Sequence, residues 1–301
     1  MNIFIGLQSL RKFKSVITIL LLIISFVSKA QQKVIRLYEG KAPGSETWNW
    51  SEGETFAGPP MNAMIVYNVT NPTLVIYEPD TSNGVSVILI PGGSYQVLNV
   101  EHEGTKVAKQ LTAKGITVFL FKYRLVRSLT NDPWQEIMEA RKDPEKLGNQ
   151  MALPKTMAIT DLDKAINLVR KRASEFKIDQ NKIGIMGFST GGFLVANVAY
   201  NFKPEARPDF VAPIYCVINN IQTRNVKSDA PPLFIAAATD DALAKVSNSV
   251  DLYTDWIKAK KPAELHLYAK GGHGLRTAPA STWIDRFVEW LHTEGFLKVE
   301  Q

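Results

Sequence analysis

The sequence predicts an α/β protein with a mostly parallel central sheet flanked by helices. Three observations carry this. Short β-branched or apolar runs alternate with longer amphipathic ones along the chain. Some of the short runs, Ile116–Tyr123 above all, are nearly continuously apolar, as strands covered on both faces must be. The 301 residues are 45% hydrophobic, enough for one large core, and no repeat, low-complexity tract or linker-like stretch divides them.

The elements follow in order. Leu74–Tyr77 and Val85–Ile90 read as strands joined by the turn-forming Asp80-Thr81-Ser82-Asn83-Gly84. Thr105–Lys114 reads as a helix, with Val107, Ala108 and Leu111 at helical spacing and Gly115 to stop it. Ile116–Tyr123 is the next strand. A polar stretch of mixed charge, residues 126–154, follows and carries Trp134, Ile137 and Met138. The spacing of Leu162, Ala165, Ile166, Val169, Ala173 and Phe176 predicts a long helix from Pro154 to Phe176 with one apolar stripe. Lys182–Met186 is a strand that runs into Gly187-Phe188-Ser189-Thr190-Gly191-Gly192 and a short helix ending near Tyr200. Phe210–Val217, Leu233–Ala238 and Ala263–Tyr268 are further strands, while Ser247–Lys260 and Ser281–Glu294 are helical.

The first 30 residues stand apart. They hold Arg11, Lys12, Lys14 and Lys29 but no acid, and an apolar run from Val16 to Val27. Such a run spans only about 18 Å as a helix, too short for a bilayer core of about 30 Å. With Ser28-Lys29-Ala30 behind it, this is the layout of a cleavable signal peptide, leaving residues 31–301 as one domain that is exported, periplasmic or secreted. Cleavage leaves 31 basic against 29 acidic residues, a net charge of about +2. The charge therefore makes no case for nucleic acid, and no remaining apolar run supports a stable membrane association. A single cysteine, Cys216, permits no internal disulfide. Four scattered histidines and that cysteine offer no metal-ligand spacing, and no cofactor is expected.

The chemistry centres on Gly187-Phe188-Ser189-Thr190-Gly191, set between a strand and a helix. A nucleophilic serine there needs a sharp turn that lifts its Oγ clear of the sheet, and glycines two before and two after it let backbone pass close by. Serine needs a base. His292 lies in the last helix, and His266 sits in an alternating strand beside Glu264, which suits a structural role. His102 opens a helix upstream, whereas His273 stands in Gly271-Gly272-His273-Gly274 directly after a strand, where small neighbours let an imidazole reach across. The acid should follow a strand between serine and histidine; Leu233–Ala238 ends at Thr239-Asp240-Asp241 and supplies two candidates. Oxyanion donors are expected from Thr190, after the nucleophile, and from the loop Pro91-Gly92-Gly93-Ser94-Tyr95.

These residues resemble the α/β-hydrolase superfamily, and within it the secreted bacterial xylan or hemicellulose acetylesterases. The resemblance runs in register from about Asn71 to Leu291. It takes in Asn-Pro-Thr-Leu at 71–74, Pro-Gly-Gly-Ser-Tyr at 91–95, His-Glu-Gly at 102–104 and Lys-Tyr-Arg-Leu at 122–125. The serine turn, Thr-Asp-Asp at 239–241 and Gly-Gly-His-Gly at 271–274 complete it. It implies a Ser189, Asp241, His273 triad, oxyanion donors at Gly93 and Ser94 besides Thr190, and residues 126–154 as a small cap insertion. Relatives commonly carry a third glycine where Ser94 stands.

The function expected is a serine esterase removing small acyl groups, acetyl above all, from a small-molecule or polysaccharide ester of the xylan type. Ser94 and Tyr95 beside the donors should crowd a bulky acyl group. A peptidase of the prolyl-oligopeptidase type shares such a catalytic domain, but the residues before Val85 are too few for its propeller. A non-catalytic binding protein on the same scaffold would be expected to have lost the serine or the histidine. Oligomeric state is not legible.

Overall fold

The computed structural model describes residues 32–298, so the expected signal peptide, residues 1–30, lies outside the described residues. In chain order the strands are β1 (Val34–Arg36), β2 (Gly53–Ala57), β3 (Ala63–Tyr67), β4 (Thr73–Tyr77), β5 (Ser86–Ile90), β6 (Val97–Leu98), β7 (Thr117–Lys122), β8 (Ile183–Phe188), β9 (Phe210–Ile214), β10 (Leu233–Ala238) and β11 (Ala263–Tyr268). Eight of them form one sheet in the order β1-β4-β7-β5-β8-β9-β10-β11. The pairs β1–β4 and β4–β7 are antiparallel, and every pair from β7 to β11 is parallel. This is the α/β-hydrolase arrangement.

The apolar runs explain the order. β5, β8, β9 and β10 are buried at every position, whereas β11, on the edge, is only half-buried. Alternate side chains feed two cores: Ile88 and Ile90 of β5 join one, Val87 and Leu89 the other. The helices are α1 (Lys106–Thr112), α2 (Pro133–Ala140), α3 (Pro144–Lys171), α4 (Thr190–Asn201), α5 (Ser247–Lys258) and α6 (Trp283–Thr293). The stripe Leu162, Ala165, Ile166 and Val169 of α3 packs with Leu194 and Val198 of α4 into the first core. Val107 and Leu111 of α1 and Ile284, Phe287 and Trp290 of α6 pack into the second.

Two features depart from the sequence reading. The long helix starts ten residues earlier, at Pro144, and ends at Lys171, with Pro154 inside it. Both prolines fit a first-turn position, but Asp143 caps the earlier one by accepting the Lys146 N–H at 3.0 Å. The stretch 126–154 is correspondingly helical in large part, through α2 and the opening turns of α3. Second, β2, β3 and β6 form a small antiparallel sheet of their own. Ile65 and Val97 of that sheet meet Trp134 and Ile137 of α2 in a separate apolar cluster, which fixes α2.

The sheet order reverses at β5. The chain leaves β5 for β7 on one side and returns with β8 on the other. A crevice opens outside the carboxyl ends of strands at such a switch point. The loop after β5 begins at Pro91, and Ser189 follows β8.

Candidate active site

Ser189 occupies the strand-to-helix turn with φ 51° and ψ −113°, a sparsely populated conformation that the fold must enforce. The glycines around it are required by main-chain contact. A Cβ on Gly187 would lie 2.3 Å from the Gly191 carbonyl oxygen, and one on Gly191 would lie 2.1 Å from that of Ile90. Helix α4 begins at Thr190, so its first N–H groups have no intrahelical acceptor and face the turn with their positive end.

His273 follows β11 and lies with Nε2 3.0 Å from Ser189 Oγ and Nδ1 2.8 Å from Asp241 Oδ2. A carboxylate only accepts, so the Nδ1 proton is donated to Asp241 and Nε2 is left to accept from the serine hydroxyl. Asp241 is buried. Burial opposes its charge, but the hydrogen bond and charge of His273 and the N–H groups of Ala244 (2.9 Å) and Leu243 (2.8 Å) outweigh it, holding the carboxyl below its ordinary range.

The two aspartates left open by the strand end have different partners. Asp240 Oδ1 accepts the N–H groups of Gly271 at 3.0 Å and Gly272 at 2.8 Å, so it grips the loop that carries His273. His266 pairs with Glu264 at 2.6 Å on the edge strand, away from Ser189. His102 meets the Asn62 carbonyl and Lys106.

The loop after β5 turns through Gly93 (φ 134°), Ser94 (φ 56°) and Tyr95 (φ 56°). A Cβ on Gly93 would strike the Val97 carbonyl oxygen at 2.1 Å, so that position admits only glycine. Of the three expected oxyanion donors, the Ser94 N–H is already donated to Thr190 Oγ1 at 3.0 Å, which ties the loop to the serine turn.

Glu103 escaped the sequence reading. It is buried behind this loop, where Oε2 accepts the Gly92 N–H at 2.6 Å and Oε1 accepts the Tyr215 hydroxyl at 3.1 Å. Burial raises its pKa, offset in part by those bonds and by His273. Tyr215 stands edge-on to the His273 ring at 4.9 Å between centroids. The sequence held it within the His-Glu-Gly stretch at 102–104 of the resemblance, with no role attached.

These residues open on a cavity of about 460 Å³. Gly93, Ser94, Ser189 and His273 line it, together with Met61, Trp134, Arg141, Leu243 and Arg276. Trp134 and Arg141 come from the 126–154 stretch.

The BD-FAE family profile matches residues 146–210. An acetylxylan esterase of Xylanibacter ruminicola is 26% identical over 248 residues, which cover 72% of this chain and 46% of that protein. The chain thus spans about half the length of this curated relative. An acetyl ester-xyloside bifunctional hydrolase from Caldicellulosiruptor lactoaceticus superposes with a TM-score of 0.65 at 24% identity, covering 89% of this chain and 98% of the other. The carboxylesterase Cest-2923 of Lactobacillus plantarum gives a TM-score of 0.59 at 18% identity over 83% of this chain and 100% of its own. The two structures share the fold.

Proposed function

We propose that this chain, an α/β hydrolase with an acetylxylan-esterase-like sequence, is a serine ester hydrolase that removes small acyl groups, acetyl first, from xylan-type carbohydrate. The observation that carries this reading is the relay Asp241–His273–Ser189, with 2.8 and 3.0 Å between successive partners, whose serine and histidine line a cavity. Similarity to an acetylxylan esterase supports the ester class.

In this reading His273 Nε2 takes the Ser189 hydroxyl proton as Oγ attacks the ester carbonyl carbon. Asp241 holds the tautomer and stabilises the imidazolium. The N–H groups of Gly93 and Thr190 receive the developing oxyanion, and that of Ser94 joins them as it turns from the Thr190 hydroxyl. The tetrahedral adduct collapses, the carbohydrate alkoxide leaves with the proton from His273, and an acyl-enzyme on Ser189 remains. Water, deprotonated by His273, then attacks the acyl carbon and releases acetate and free serine.

Residues 126–154 act in this reading as a cap, contributing Trp134 and Arg141 to the cavity wall. Export is also part of it, resting on the leader-like residues 1–30. The test is turnover of p-nitrophenyl acetate, butyrate and octanoate, then acetate release from acetylated xylan, for the wild type and Ser189→Ala. Hydrolysis that is fastest for acetate, with acetate freed from xylan and both lost in the variant, supports the proposal. A rate climbing toward octanoate with no acetate from xylan overturns the carbohydrate assignment.

A further inference from the structure

Arg141 is half-buried in the cavity wall, beside the candidate oxyanion loop, with its Nη2 3.4 Å from Ser94 Oγ. Its guanidinium lies over the Trp134 ring at 5.8 Å and touches Met138 Sδ at 3.9 Å, contacts that aim it without neutralising it. Among the described residues it makes no ion pair. The acids nearest along its own helix are committed elsewhere. Glu139 pairs with Lys142 at 2.6 Å, and Glu136 accepts the N–H groups of Leu129 at 3.0 Å and Thr130 at 2.6 Å.

A partly desolvated guanidinium without a carboxylate is costly unless something fills the vacancy. Burial indeed lowers the Arg141 pKa from its ordinary value. A second arginine lines the same cavity: Arg276, three residues beyond His273, donates to the Met61 carbonyl at 3.2 Å and likewise has no acidic partner among the described residues. Lys106, also in the lining, is satisfied by Glu101 at 2.9 Å. The one acid in the wall, Glu103, faces Gly92 and Tyr215. The cavity therefore presents two unpaired planar cations and no free carboxylate.

We infer that the ester taken by this site carries a carboxylate of its own, bound by the Arg141 fork with Arg276 as a second contact. The inference rests on the ester-hydrolase reading above and narrows its substrate. Guanidinium is the group suited to this task, because its planar donors match a carboxylate bidentately and it stacks on an aromatic face. The carboxylate can sit on either side of the scissile bond: on the acyl side as a dicarboxylic half-ester, or on the alcohol side as a uronic acid borne by the acetylated oligosaccharide.

Matched pairs separate the two. On the acyl side, kcat/KM is compared for p-nitrophenyl hydrogen succinate and p-nitrophenyl butyrate; on the alcohol side, for acetylated xylo-oligosaccharides with and without a uronic acid branch. One anionic member should be preferred by about tenfold or more, the scale of a hydrogen bond to a charged group. That ratio should fall toward one in Arg141→Gln, be partly kept in Arg141→Lys, and shrink as salt is raised. Ratios near one in both wild-type pairs, with the neutral esters turned over, overturn the carboxylate while leaving the hydrolase standing. A preference that survives both Arg141→Gln and Arg276→Gln overturns the assignment to these arginines. No turnover of any ester, neutral or anionic, overturns the hydrolase reading itself. Should Arg141→Gln fail to fold, the wild-type ratios, their salt dependence and Arg141→Lys still decide.

Discussion

Tyr215 donates its hydroxyl to Glu103 Oε1 at 3.1 Å, and that bond joins the two halves of the site. The other oxygen of the same carboxylate holds the Gly92 N–H at 2.6 Å, and the same tyrosine packs against the His273 ring. The glycine loop and the imidazole are thus set by one buried acid that never needs to touch substrate.

Glu103→Ala should leave the Gly92 N–H and the Tyr215 hydroxyl buried without an acceptor, at a cost of about 2 kcal/mol or more. Denaturant melts should record that loss, and kcat should fall more than KM rises, because the loop geometry rather than ground-state binding is disturbed. Glu103→Gln can still accept from Gly92 and should recover most of both. The pH dependence has a definite sign. With its folded-state pKa raised by burial, Glu103 contributes stability that is complete below 4.5 and lost as pH rises through the higher folded value. The stability of Glu103→Gln relative to wild type should therefore improve as pH rises from 4 to 8.

Ser189→Ala should lower kcat by about 10⁴-fold or more while leaving the thermal midpoint nearly unchanged. His273→Ala should be comparably damaging. His266→Ala, which removes only the edge-strand pair with Glu264, should leave ester turnover close to wild type. Essentiality of His266 would refute the assignment of the base.

Asp241→Asn and Asp240→Asn should differ sharply. An amide at 241 can still receive the N–H groups of Leu243 and Ala244, but its NH₂ facing His273 favours the wrong tautomer, with a loss of about 10⁴-fold in kcat. An amide at 240 keeps an acceptor for Gly271 and Gly272, so the histidine loop stays in place and the loss should be slight. The lowered Asp241 pKa means that its ionised form contributes stability above pH 3.8, lost as pH falls through the folded value. Asp241→Asn should flatten that acid limb in unfolding curves.

Outside the cavity lining, Arg124 and Asp161 form a two-pronged ion pair at 2.7 and 2.8 Å, both side chains almost wholly buried, and Tyr38 donates to the same carboxylate at 2.8 Å. Asp161→Ala should cost about 3–5 kcal/mol, since it strands a buried guanidinium. Replacing both partners with apolar residues of similar volume should cost much less. Chemical denaturation of the wild type and these two variants measures this directly.

The sheet was legible because buried parallel strands must be apolar throughout, as Leu233–Ala238 is, while the half-buried edge strand Ala263–Tyr268 shows in its alternation. The serine turn and the histidine loop were legible because close main-chain passage leaves only glycine. The small sheet of β2, β3 and β6 was not, since β2 is largely exposed, β6 is only two residues long, and β3 takes that partner from 30 residues away. The start of α3 was misread because two prolines satisfied one rule and only the aspartate before the first distinguished them. The roles of Glu103 and Arg141 could not be read. A charged residue on a helix surface and one buried against a distant tyrosine or tryptophan are identical in sequence, and only the tertiary contact separates them.

A Cβ on either glycine flanking Ser189 would strike a main-chain carbonyl oxygen, whereas Met61, Trp134, Arg141, Leu243 and Arg276 line the cavity and already carry a Cβ. Inheritance must treat the two groups differently. Drift behind the serine is lethal at the first methyl group, but drift around the rim changes only what fits. In the proposed hydrolase, a few substitutions at the rim would exchange one ester for another while the relay behind it stays whole.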